Sequence, residues 1–548
     1  MAEFDVIIVG GGVSGGLTAA AYLQKAGAKC VVIEKRHDLG CFDPGYEIWP
    51  ETNVYPHANI YLGGMSPYWE DLELEKYGLR NLNSPVIYGV IGTDGKCLWH
   101  YLDPKKTYES CKKFSEKDAK KLQFFWETVI KVGKEFQKLI CYQPPNPEYV
   151  DKLFELTAAP FGLDGDTIRT MNGIQLLEET FESDYARASL SHLAIGNYFG
   201  DFVSEGIGAT SVAANNMAWS SSILRGGNHH LVHALQRLFL SYGGVVLRSS
   251  PVEKVIIKDG KAVGVRLSED AVYPEKEIYA KKAVILDLQA PASLKLIGED
   301  IVKQVSPELW AKMKFWKSGM KSSCLALITV KGRIPWKADE VEPVSKVAHL
   351  RYMFSSWDDI KEYYYRIKNH DSRAVFEGWY HELVNNVIDP TTISPEGYMT
   401  VRCDLHVPAM VQGNGMEWWD ENRKKIIDEC FKEKLEIIAP GIKNKIYEIH
   451  LETPYDIWRE NPIGMPTHIV GGDFTDDQWY LGRMPYKMPI DGLYCCNSVW
   501  PCPASWGATG YIVASVVAAD LGIRKQPWWV HEPTDYFFKN IQRDTYQM

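Results

Sequence analysis

The first 34 residues constrain this chain more than any other stretch of it. Phe4-Asp5-Val6-Ile7-Ile8-Val9 is a short β-branched, apolar run suited to a strand buried on both faces. Gly10-Gly11-Gly12-Val13-Ser14-Gly15 follows at once, and small and apolar residues then recur at helical spacing from Leu17 to Lys25. A second apolar run, Cys30-Val31-Val32-Ile33, ends at Glu34. Strand, glycine turn, helix, strand and acid each have a physical task. Gly10 permits the turn, Gly12 lets backbone approach a pyrophosphate, and Gly15 allows close helix–strand packing. The N-terminus of the helix offers unpaired N–H groups and partial positive charge to phosphates. Glu34 lies about 20 residues beyond the last glycine, where an acid holds adenosine ribose hydroxyls. The pattern predicts a dinucleotide site built from Gly10, Gly12, Val13, Ser14, Gly15 and Glu34, flanked by Lys35 and Arg36. An acid at this position favours an unphosphorylated ribose, as in FAD or NAD, over NADP.

The rest of the chain excludes a simple NAD dehydrogenase, which would continue in regular strand–helix units. Residues 41–68 are irregular and rich in Pro, Tyr, Trp and Gly. Ser115-x-x-Asp118 reads as a capping box opening a helix through about Ile140. Pro144-Pro145-Asn146-Pro147 breaks the chain, and helices are expected over 149–158 and 174–198. After Arg225-Gly226-Gly227 comes a helical pattern from Leu231 to Tyr242. Two alternating runs, 252–257 and 262–267, then flank Asp259-Gly260, a strong hairpin signal. Ala283-Val284-Ile285-Leu286 reads as another buried strand. Asp473, Asp476 and Asp477 read as a solvated acidic turn. Near the end, Gly507-Ala508-Thr509-Gly510 opens a helix through Leu521, offering a second helix N-terminus to a long cofactor.

Composition removes several function classes. A hydrophobic share of 45% and a charged share of 24% are globular values. A net charge of −10 argues against a nucleic-acid partner. Eleven cysteines occur without a C-x-x-C, so reduced thiols in a cytoplasmic compartment are expected. No 18-residue apolar run occurs and the N-terminus lacks a signal-peptide pattern, which leaves peripheral membrane contact at most. His229, His230 and His233 have no accompanying acid or cysteine at metal-ligand spacing, so no metal is expected.

The spread of these motifs resembles the FAD-dependent amine-oxidase-like superfamily, and within it the phytoene desaturase, carotenoid isomerase and retinol saturase group. Gly10, Gly12, Gly15 and Glu34 match its N-terminal fingerprint, and the block from Arg225-Gly226-Gly227 to Val265 matches its second conserved region. Asp389-Pro390 followed by Ser394-Pro395-Glu396-Gly397 resembles a segment particular to the group, and Gly492-Leu493-Tyr494 with Gly507 to Gly510 resembles its C-terminal FAD motif. The resemblance implies non-covalent FAD, Val252 against the adenine through its backbone, and Asn497, Gly507, Ala508 and Thr509 near the pyrophosphate and ribityl chain. Two departures stand out. Cys496-Asn497 replaces the usual small or acidic pair, and Trp500-Pro501-Cys502-Pro503-Ala504-Ser505-Trp506 replaces a glycine-rich loop.

The implied activity is desaturation, saturation or double-bond isomerisation of a hydrophobic polyene, terpenoid or alicyclic/aromatic substrate at flavin N5. The electron partner would be a quinone, O2 or NAD(P)H, and a homo-oligomer is compatible with this reading. The load of 18 tryptophans fits an aromatic substrate cavity, with core packing as the ordinary explanation. Trp500 and Trp506 flank the C-terminal loop, and Tyr55 and His57 sit where this superfamily passes close to the flavin; these four are the catalytic candidates. A flavin amine oxidase and a GDP-dissociation-inhibitor-like binding protein without catalysis are the alternatives. The expected architecture is α/β: a Rossmann-like FAD-binding domain with a parallel sheet assembled from 1–70, 215–298 and 470–524. An α+β substrate domain with a mixed sheet would come from 71–214 and 299–469, and 525–548 would form an aromatic tail.

Overall fold

The computed structural model describes residues 4–40, 45–49, 51–54, 61–62, 66–82, 85–196, 201–213, 221–318, 320–337, 350–379, 381–384, 394–460, 471–501 and 507–530. Two seven-stranded sheets organise them. The first comprises β1 (Phe4–Val9), β2 (Cys30–Ile33), β3 (Val245–Leu247), β4 (Val252–Lys258), β5 (Lys261–Leu267), β6 (Glu277–Leu286) and β7 (Leu493–Cys495). Its helices include α1 (Gly16–Lys25) and α2 (Ala508–Asp520). The parallel layer runs β3-β2-β1-β6-β7, with Ile7 opposite both Val31 and Val284, and Val284 opposite Leu493. The two ends of the chain therefore share one sheet. The central strands are apolar on both faces because helices cover both, and Val6, Ile7, Ile8, Val31, Val32, Val284 and Ile285 are fully buried.

The hairpin expected at Asp259-Gly260 forms between β4 and β5. Asp259 and Gly260 take φ of +50° and +76°, the doubly left-handed turn that matches strand twist. This hairpin then pairs antiparallel with the N-terminal half of β6.

The second sheet is mixed and is built largely from the middle of the chain. Its order is Ile446–Glu452, Ser322–Lys331, Tyr398–Val407, His381–Val384, Leu350–Phe354, Val86–Gly92 and Cys97–Tyr101. Only the Leu350–Phe354 and Val86–Gly92 pair is parallel. The strand Tyr398–Val407 alternates strictly. Val401, Cys403, Leu405 and Val407 pack into an apolar cluster with Trp419, Phe431 and Leu435, while Thr400, Arg402, Asp404 and His406 share the opposite face.

Several helices deviate from the sequence pattern for identifiable reasons. Ser115 caps Glu116–Cys141 as expected, accepting a hydrogen bond from Asp118 N at 3.1 Å. Asp118 does not return the bond to complete a capping box. Its carboxylate instead accepts from Glu182 N and Ser183 N at 3.0 and 2.8 Å. That interaction holds a break between helices Gly173–Thr180 and Asp184–Gly196, so 174–198 is not continuous.

The tryptophans are mostly structural. Trp69, Trp99, Trp126, Trp316, Trp357 and Trp419 are all buried in the hydrophobic core. Trp126 Nε1 donates to His100 Nδ1 at 2.8 Å, and His100 stacks on Tyr88. Burial drives the His100 pKa down to about 3, which keeps the ring neutral. Trp528 and Trp529, at the start of the aromatic tail, pack on Tyr22 of α1. The nine cysteines among the described residues are buried free thiols. Among the described residues no helix is long and apolar enough to cross a membrane.

Candidate nucleotide-binding site

The glycine turn lies between β1 and α1, and Gly10 takes φ of +98° to make it. Glu34, at the end of β2, is buried against this turn. Its Oε2 accepts from Gly11 N at 2.8 Å and its Oε1 from Arg36 N at 2.9 Å. A carboxylate offers about four lone-pair directions, so two remain for ribose hydroxyls. Ser249 N donates to Arg36 O and Ser250 N to Glu34 O, both at 2.9 Å. These bonds bring the start of β4, with Val252, alongside Glu34 and Arg36. Lys35 itself is exposed.

The chain's C-terminal part returns to the same turn. Thr509 Oγ1 and Gly510 N both donate to Ser14 O, at 2.8 and 2.9 Å. A Cβ on Gly510 would lie 2.5 Å from Gly15 O, so only glycine permits this approach. The first turns of α1 and α2 therefore converge, and their positive dipole ends face one region. Val13, Ser14, Gly507, Ala508 and Thr509 all belong to this junction. Asn497 is half-buried and its Oδ1 accepts from Ser498 N at 2.7 Å.

One acid at the junction escaped the sequence reading. Asp287 follows β6, and its Oδ2 accepts from Gly16 N, the first residue of α1, at 2.8 Å. A Cβ on Gly15 would come within 2.3 Å of Asp287 Oδ1. The Cys496 thiol donates to the same oxygen at 3.4 Å. Desolvation above all raises the Asp287 pKa to about 6, with Glu34 adding to the rise and the turn amides opposing it. The available signal was its place at the C-terminal end of a buried parallel strand, where ligands gather in open α/β sheets.

Trp500 is buried among Phe474, Trp479 and Tyr480, with ring centroids 5.4–6.0 Å away. Its carbonyl accepts a short hydrogen bond from Tyr486, and its indole N–H has no partner among the described residues. Tyr55, His57 and Trp506 lie outside the described residues. His229 does meet an acid that its sequence neighbourhood lacks: Asp38 Oδ2 lies 3.1 Å from its Nε2. Among the described residues there is no metal-binding cluster. The acidic turn needs correction at Asp473, which is drawn inward to accept from Met320 N at 3.2 Å, while Asp476 and Asp477 are exposed. Burial raises the Asp473 pKa to about 6 and lowers that of nearby Lys321 to about 8.

A backbone cradle that side chains would fill, a buried acid against the glycine turn and two converging helix N-termini fit the ADP half of a dinucleotide. Fold and glycine turn define a protein with a Rossmann-like dinucleotide-binding domain. Residues 8–72 match the NAD(P)-binding Rossmann-like domain family. The chain is 24% identical to a component of the limonene dehydrogenase of Castellaniella defragrans over 97% of both chains. It is 22% identical to prolycopene isomerase 1 of an Oncidium hybrid cultivar, over 96% of this chain and 85% of that one. Phytoene desaturase (lycopene-forming) of Pseudescherichia vulneris is 22% identical, over 82% and 85%. Among solved structures, an oxidoreductase from Methanosarcina mazei shares the fold at TM-score 0.59 and 15% identity, covering 93% of this chain and 99% of that one. A putrescine oxidase does so at 0.56 and 14%, covering 95% and 99%. The chain is similar along most of its length to a limonene dehydrogenase component, a prolycopene isomerase and a phytoene desaturase, and a flavin is the cofactor this similarity implies.

Proposed function

We propose that this chain binds FAD non-covalently and uses it to desaturate, saturate or isomerise a hydrophobic terpenoid, polyene or alicyclic substrate. The observation that carries the reading is the convergence of α1 and α2 on one glycine turn beside Glu34, in a chain similar along 97% of its length to a limonene dehydrogenase component. Glu34 orients the adenosine ribose, and the glycine turn with the positive dipole ends of α1 and α2 holds the pyrophosphate. FAD, when bound, supplies the hydride acceptor or donor. The protein's part is to hold the substrate carbon in place and exclude water, and the buried aromatic group around Trp500 suits an apolar ligand. Tyr55, His57 and Trp506 remain the candidates for contact with the reacting carbon.

The division of labour proposed is FAD on 1–70, 215–298 and 470–524, and substrate on 71–214 and 299–469, in a cytoplasmic protein. A single spectrum tests the core of this. Purified protein should be yellow, with flavin absorption released on denaturation without a covalent remnant. A colourless chain that fails to take up added FAD overturns the proposal. Anaerobic mixing with monocyclic terpenes, linear polyenes or NAD(P)H then identifies which bleaches the flavin, and re-oxidation by a quinone or O2 identifies the acceptor.

A further inference from the structure

We propose that Asp287 makes dinucleotide binding a proton-coupled event: its carboxylate holds the α1 amide before binding, and the arriving pyrophosphate draws one proton onto it. The proposal rests on the flavin-dinucleotide reading. Asp287 Oδ2 lies 2.8 Å from Gly16 N, so a side-chain anion already occupies the helix terminus to which the pyrophosphate belongs. The acid cannot easily withdraw. It follows β6 directly, and the 2.3 Å clearance at Gly15 shows that it is packed onto the turn. Asp287 N also donates to Val9 O at 2.8 Å, which fixes its backbone to the end of β1.

The groups facing Asp287 do not offset added negative charge. They are Glu34 beyond the turn, the thiols of Cys495 and Cys496 from β7 and the residue after it, and the amides of Gly12 and Gly16. Asp287 makes no ion pair among the described residues. The two thiols are themselves held protonated by burial. The free acid already favours its proton more than an ordinary aspartate, with a pKa of about 6. An anion placed against it raises that value further, because a like charge disfavours the ionised form. At neutral pH one proton therefore passes from buffer to the Asp287 carboxyl on binding, and no bond of the dinucleotide changes. The protonated acid then becomes a hydrogen-bond donor beside the phosphates.

Calorimetric titration of flavin-stripped protein with FAD, in two buffers of different ionisation enthalpy at about pH 7.5, reads the proton directly. Uptake close to one proton per FAD is expected. The dissociation constant should weaken by up to about tenfold per pH unit above about pH 6. Asp287→Asn, which keeps the shape and cannot ionise, should take up no proton and bind with a pH-independent constant. FAD binding to wild type without proton uptake overturns this proposal alone, and so does an Asp287→Asn chain with unchanged uptake and slope. Should the variant fail to fold, the wild-type proton count decides by itself. A chain that binds no FAD at any pH overturns the flavin reading and this proposal with it.

Discussion

Polar groups sit at the strand ends of one sheet and on a face of the other. Around β1 the strands are apolar where they approach the glycine turn, and the polar chemistry there consists of backbone amides and two acids where strands stop. On Tyr398–Val407 the charges lie along the strand itself: Arg402 donates to Asp404 at 2.8 Å and His406 Nε2 stands 3.7 Å from Asp404, all nearly inaccessible. The first arrangement is specified by backbone conformation and tolerates only glycine at its closest approaches. The second is specified by side-chain pairing and tolerates coordinated replacement. Sequence change should therefore act differently on the two sheets.

The sharpest test of that contrast is Gly510→Val. Its Cβ would meet the carbonyl of Gly15 at 2.5 Å, backbone against backbone, with no flexible atom to yield. Flavin retention after gel filtration should fall by about 100-fold or more, an estimate based on about 3 kcal/mol of misplacement. Next comes Arg402→Ala, which removes the guanidinium facing the buried Asp404 carboxylate and should cost about 3–5 kcal/mol in denaturant unfolding. The double change Arg402→Met with Asp404→Leu should recover most of that loss. If the double variant is as unstable as the single, the pair is not what the second sheet depends on.

The smallest effect per unit concerns pH and a carboxyl near the first sheet. Asp71 is buried beneath α1, accepting from Tyr22 Oη at 2.8 Å and Val530 N at 3.0 Å, and burial raises its pKa to about 7. Because the folded pKa lies above the unfolded one, this stability is complete below about pH 4 and is lost as pH rises to about 7. The slope is about 1.4 kcal/mol per pH unit in that window. Asp71→Asn should flatten it, as read by thermal unfolding across the range. An unchanged slope would show that the acid ionises freely in the folded chain.

What could be read from the sequence follows the same contrast. The glycine turn, Glu34 and the Asp259-Gly260 hairpin were legible because each depends on a local backbone requirement that few residues satisfy. Ser115 was legible as a cap for the same reason. Its supposed partner Asp118 was not, because a carboxylate chooses among amides that only tertiary folding brings near, here Glu182 and Ser183. Asp287 and Asp473 hid in the same way: an aspartate in a loop reads as solvated until its burial is known. The tryptophan excess was ambiguous at the outset, since core and cavity demand the same side chain. Trp69, Trp99, Trp126 and Trp419 went to the core.

The bond between Thr509 and Ser14 spans 495 positions of sequence. During synthesis, β1 and its glycine turn leave the ribosome well before α2 and must wait while the entire second sheet is made. At about 5–20 residues per second that interval is of the order of half a minute or more. Through it the apolar Phe4–Val9 strand lacks its β6 neighbour for half the time, and the turn lacks α2 for nearly all of it. A nascent chain stalled before residue 510 thus carries the complete glycine turn without the helix that closes on it.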